Sequence, residues 1–78
     1  MTREEAEKLT PGTRLSWKKA SRGRDSFNGP RQFGKDVTFV DYLWGIGGKE
    51  ILRDEQGMPV IDVETPKGIH SFSSAYFK

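Results

Sequence analysis

The side chains able to do chemistry fall into two groups of opposite sign. The basic group is Lys18, Lys19, Arg22, Arg24, Arg31 and Lys35, with Phe27 and Phe33 set among them. Cations neutralise phosphates, and flat apolar rings stack on unpaired bases at about 1–3 kcal/mol per base. The glycines of the same stretch let a backbone approach a ligand closely. Together these residues point to nucleic acid bound with little sequence specificity. The plainer reading is a solvated loop whose Phe residues fold back over a small core, and a third is contact with an acidic protein surface.

The acidic group is Asp54, Glu55, Asp62 and Glu64. A calcium loop sets its carboxylates at alternating positions around a Gly and ends on Glu, an order that Asp54-Glu55-Gln56 lacks. The group reads as a solvated face, or as one that imitates nucleic acid or meets a basic partner.

Other motifs lead away from catalysis. Gly45-Ile46-Gly47-Gly48-Lys49 is followed by Glu50, and Leu43 stands where a phosphate loop needs its first Gly. A Walker loop requires Ser or Thr after the Lys, so this stretch reads as a hairpin turn. His70 is the single histidine and there is no cysteine. A lone His with no fixed acidic partner lacks both a catalytic setting and metal-ligand spacing. No catalytic residue, metal or cofactor is therefore assigned, and the chain is expected to be non-enzymatic. Trp17, Trp44 and Tyr42 suit a core or a rim. Trp44, last in its strand beside a Gly turn, is the best exposed anchor, with Tyr42 beside it, because Trp and Tyr recur at interface hot spots.

The chain has 78 residues, 33% of them hydrophobic and 12% aromatic. That length holds one domain, residues 1–78, with a small core. No apolar run reaches the roughly 18 residues of a membrane span, and Met1-Thr2-Arg3-Glu4-Glu5 has no apolar leader. The expectation is a cytoplasmic protein with no membrane partner. The net charge of +2 hides segregation. Residues 12–35 carry Arg14, Lys18, Lys19, Arg22, Arg24, Arg31 and Lys35 against Asp25 alone, a net of +6. Residues 36–64 carry seven acids against Lys49 and Arg53, a net of −5. Such a molecule is a dipole, with a side suited to an anionic partner.

These groups need elements to position them. Residues 2–9 read as a short helix: Thr2 and Glu5 fit a capping box, Ala6 and Leu9 pin it to the body, and Pro11-Gly12 ends it. Residues 13–19 alternate, with Leu15 and Trp17 on one face, as a half-buried strand does. Residues 20–35 form a long basic loop with a turn signal at Asn28-Gly29-Pro30. Residues 36–44 are the strongest strand. Simple alternation puts Val37, Phe39 and Leu43 on one face and Val40, Tyr42 and Trp44 on the other. That describes a central strand, or one whose outer face meets a partner. Further short strands are expected over 49–54, 58–65 and 69–72, with a closing turn or short strand over 73–77.

The order is thus a short helix and about five short strands in a mostly β protein. From Leu9-Thr10-Pro11-Gly12-Thr13-Arg14-Leu15, through the long loop, to Gly68-Ile69-His70-Ser71-Phe72-Ser73-Ser74-Ala75-Tyr76-Phe77, this layout resembles the SH3-like small β-barrel. The resemblance implies a five-stranded barrel over residues 12–77, with a 3₁₀ turn at Ser73-Ser74-Ala75-Tyr76 before the last strand. Signalling SH3 domains carry an Ala-Leu-Tyr-Asp-Tyr run that is absent here, so binding of Pro-rich peptides is not carried over. Gly12-Thr13-Arg14-Leu15 is similar to the opening of plasmid-encoded type II dihydrofolate reductases. Their Val-Gln-Ile-Tyr pore motif is missing, since the nearest place reads Ile69-His70-Ser71-Phe72, and reductase activity is not assigned.

Two functions follow. In the first, the segment Lys18–Lys35 binds DNA or RNA through phosphate contacts and stacking. In the second, the module binds protein through Tyr42 and Trp44, as a small adaptor or inhibitor of the kind encoded by phages and mobile elements. The expected state is a monomer or a weak homo-oligomer, because open small barrels can pair their edge strands.

Overall fold

The computed structural model describes residues 1–18 and 32–78. Its elements are α1 (Arg3–Ala6), β1 (Arg14–Ser16), β2 (Asp36–Tyr42), β3 (Val60–Thr65), β4 (Gly68–Ser73) and a 3₁₀ turn over Ser74–Tyr76. The fold is mostly β. The four strands form one antiparallel sheet in the order β1-β2-β3-β4.

The capping box forms as its spacing dictates. Thr2 Oγ1 accepts from the Glu5 amide at 3.1 Å, and Glu5 Oε1 accepts from the Thr2 amide at 2.8 Å. The Thr2 amide, with the Thr2 hydroxyl beside it, holds the Glu5 carboxyl below its usual value. The helix is shorter than residues 2–9, because the Lys8 amide already turns to the Glu5 carbonyl and the Leu9 amide bonds to the Tyr42 hydroxyl. A tertiary partner has replaced the next helical bond.

The core is Leu15, Trp17, Val37, Phe39, Ile61, Val63 and Phe77, with Met1, Leu9, Phe33, Tyr42 and Phe72 packed on it. Each fully buried large apolar side chain contributes about 1.5–3 kcal/mol. β2 is the inner strand between β1 and β3, as its two-sided apolar character requires.

Its faces differ from simple alternation. Phe39 pairs with Val63, Asp41 with Asp62 and Tyr42 with Ile61, which leaves Val40 as a bulge. One inserted residue reverses the parity of everything after it. Tyr42 therefore turns inward, its ring 5.1 Å from that of Phe39 in an edge-to-face contact.

The strand expected over 13–19 shrinks to β1, and Trp17 instead makes an isolated bridge to Phe77. Around it the Lys18 amide donates to the Tyr76 carbonyl and the Lys78 amide to the Ser16 carbonyl, both at 2.9 Å. The segment 49–54 adds no ladder strand, only the bridges Trp44–Ile51 and Arg53–Pro59. The strands expected over 58–65 and 69–72 appear as β3 and β4 with ends moved by one or two residues, and the 3₁₀ turn stands where the barrel resemblance placed it. Among the described residues no helix is long and apolar enough to cross a membrane.

Candidate interaction site

Between β2 and β3 the chain makes an excursion, residues 43–59, that leaves the end of the sheet. Its first half is a hairpin. The Leu52 amide donates to the Leu43 carbonyl and the Gly45 amide to the Glu50 carbonyl, each at 2.8 Å. The tip closes with the Gly48 amide on the Gly45 carbonyl at 3.0 Å. Gly47 and Gly48 both sit at positive φ, +88° and +68°, where a side chain is strained. A Cβ at Gly45 would lie 3.4 Å from the Leu52 side chain and the Glu50 carbonyl, at the edge of ordinary van der Waals contact.

This geometry turns apolar side chains into water. Ile46 is fully exposed, Trp44 is 48% exposed and Leu52 44%. Trp44, Lys49, Glu50, Ile51, Leu52 and Arg53 line a shallow cleft of about 600 Å³. Three exposed apolar side chains thus stand on one short hairpin, Trp44 paired with Ile51 and Leu52 on the face of Gly45. Exposed charges of both signs, Lys49, Glu50 and Arg53, border it.

The base of the excursion is clamped. Asp54 Oδ1 accepts from the Gln56 and Met58 amides at 2.9 and 2.8 Å, and Asp54 Oδ2 accepts from the Ser73 hydroxyl at 2.6 Å. Ser73 Oγ also accepts from the Ala75 amide, so one side chain caps the 3₁₀ turn and ties it to the excursion. The Ser73 bond, followed by those from the backbone amides, holds the Asp54 carboxyl below its usual value. Arg53 Nη1 donates to Glu7 Oε2 and to the Gly57 carbonyl, both at 2.9 Å, which fixes the same base to the end of α1.

Tyr42, assigned to partner contact from the sequence, is half-buried, and its hydroxyl bonds to Ala6 and Leu9 beneath α1. Trp44, read from the sequence as a core or rim residue and the best exposed anchor, stands half in water on the hairpin. Ile46 and Leu52 carried no assignment from the sequence, where they read as a turn residue and a strand residue. The available signal was an Ile set between two glycines, Gly45 and Gly47, inside a turn.

Of the basic segment, Lys19, Arg22, Arg24, Phe27 and Arg31 lie outside the described residues. Lys18 and Lys35 are exposed on either side of it. Phe33 is half-buried against the core, with ring centroids 4.9 Å from His70, 5.2 Å from Phe72 and 6.3 Å from Trp17. Lys67 Nζ lies 5.9 Å from its ring centre. The Trp17 indole N–H donates to the Gly34 carbonyl at 2.9 Å, pinning the chain beside Phe33. His70 Nε2 lies 3.3 Å from the Lys67 carbonyl.

The acids noted in the sequence do not gather. Asp54 belongs to the clamp, Asp62 accepts from the Ser71 hydroxyl, and Glu64 is exposed on β3. Among the described residues no three His, Asp or Glu side chains stand where they could hold a metal ion. No protein-family model matches the chain, and neither the curated proteins nor the solved structures contain a match to it.

Proposed function

We propose that the chain is a non-enzymatic protein-binding module that engages its partner with the hairpin 43–53. The observation that carries this reading is Ile46, an aliphatic side chain held fully in water on a glycine-built tip, next to exposed Trp44 and Leu52. Covering such side chains with a partner gains about 1.5–3 kcal/mol for each one fully buried. The test is affinity capture from cell extract with the native chain and with Ile46→Asp and Trp44→Ala. A partner held by the native chain and released by both variants, at unchanged thermal stability, supports the reading. Equal capture by all three defeats it.

A second reading has the segment Lys18–Lys35 bind nucleic acid. It is favoured by the exposed Lys18 and Lys35 at the two ends of a segment of net +5. Phosphate contacts make such affinity fall steeply with salt. Fluorescence anisotropy of labelled single-stranded DNA, duplex DNA and RNA should then show salt-sensitive binding that collapses in Arg22→Glu/Arg24→Glu/Arg31→Glu. Binding retained in that triple variant removes the reading.

The fold is read further as an SH3-like barrel whose chain end closes on β1. The support is the Trp17–Phe77 bridge with the Lys18–Tyr76 and Lys78–Ser16 hydrogen bonds beside it. This likeness concerns fold and assigns no ligand.

A further inference from the structure

The direction of the backbone groups in β4 follows from one hydrogen-bonded pair. The Phe39 amide donates to the Thr13 carbonyl at 2.8 Å and the Phe39 carbonyl accepts from the Gly12 amide at 2.9 Å, so both Phe39 groups point away from β3. In an antiparallel ladder such pairs alternate. Thr38 therefore bonds toward β3, and its partner Glu64 bonds back toward β2. Thr65, Val63 and Ile61 then bond toward β4, through their partners Gly68, His70 and Phe72. The groups of Ile69, Ser71 and Ser73 point outward, at the outer edge of the sheet that the described residues form.

Among the described residues no strand pairs with that edge. Natural edge strands are blunted by charge, proline or a bulge. β4 reads Gly-Ile-His-Ser-Phe-Ser, with none of the first two, and its register with β3 is unbroken. Ile69 is 59% exposed beside it.

We infer that β4 is a self-pairing edge, joining two copies of this chain antiparallel about a two-fold axis at Ser71. The strand is complementary to itself in this register. Ser71 pairs with its own counterpart, and Ile69 with the counterpart of Ser73, so outward groups meet outward groups. The intervening pair is His70 with the counterpart of Phe72, a non-hydrogen-bonded pair, in which facing side chains come closest. Two aromatic cross-strand contacts thus form, one on each side of the axis. Both side chains are half-buried in the single chain and already lie on one face, their rings 6.4 Å apart. An extended peptide could use the same backbone groups, but only a second copy supplies both aromatic pairs. Asp62 and Glu64 lie one strand in from the edge on each copy, so added salt favours the pair by screening them.

Sedimentation and amide spectra from about 20 µM to 1 mM test this, because a small edge interface holds weakly. The expected mass rises toward twice that of the chain, with shifts concentrated in residues 68–73 and slowed exchange at the Ile69 and Ser71 amides. Ser71→Lys sets two cations against each other across the axis and abolishes association. Ile69→Lys, at an exposed position, does the same without risk to the core. A monomer throughout the range overturns the inference, and so does association that survives either variant in folded form. Association lost in Ile46→Asp but kept in Ile69→Lys assigns self-contact to the hairpin tip and likewise overturns it.

Discussion

The hydroxyl of Tyr42 donates to the carbonyl of Ala6 at 2.6 Å and accepts from the amide of Leu9 at 3.0 Å. One side chain thus satisfies an orphan carbonyl of α1 and fixes where the chain leaves it. A four-residue helix has no stability of its own, so this bond and the buried Ala6 hold it. Tyr42→Phe leaves both backbone groups without their partner and lowers stability by about 1–3 kcal/mol. Urea unfolding measures the loss, and amide exchange should locate it first in residues 2–9. Partner capture through the hairpin should be unchanged, which separates this role from that of Trp44.

The Asp54 clamp predicts an acid limb. Its carboxyl lies below the usual 3.8 in the folded state, so the unfolded state takes up the proton first as pH falls. The stabilisation is present well above that value and is lost as pH falls through the folded value. Thermal melts of the native chain from about pH 6 downward should decline more steeply than those of Asp54→Asn. Ser73→Ala removes the largest cause of the shift and should also flatten the limb. Equal slopes in all three would show that the clamp does not carry the acid response.

The tip depends on backbone handedness. Gly48 sits at φ +68°, and a Cβ placed there meets no atom within 4 Å. The cost of Gly48→Val is therefore conformational, about 1–2 kcal/mol, rather than a clash. Circular dichroism melts should show that loss with the sheet intact. Partner affinity should fall with it, because the Gly48 amide closes the turn that carries Ile46 by bonding to the Gly45 carbonyl.

Phe77 has no exposed surface, and its ring centroid lies 4.5 Å from that of Trp17. Phe77→Ala should cost about 3–5 kcal/mol in denaturant unfolding, as large aromatic truncations in a core do. Tyr76→Ala, at a position 44% exposed, should cost much less. A small loss in Phe77→Ala would show that the chain end is not integral to the core.

What the amino-acid order settled by itself was local. Thr2 and Glu5 are three residues apart, so their reciprocal bonds need only one turn of chain. The apolar run from Val37 specifies a central strand through its own composition, and the glycines at 47, 48 and 68 mark turns through conformational freedom that other residues lack. Tertiary structure decided what depends on partners far along the chain. The bulge at Val40 exists only in the register between β2 and β3, and it turned Tyr42 from an outward position to an inward one. Asp54 found Ser73 nineteen residues away, which made an acidic-patch residue into a clamp. Ile46 and Leu52 belong to no core because the excursion projects from the sheet, a fact of packing that no spacing encodes. Which groups of β4 face outward follows from a hydrogen-bond alternation that begins at Phe39 and crosses two strands to reach Ser71.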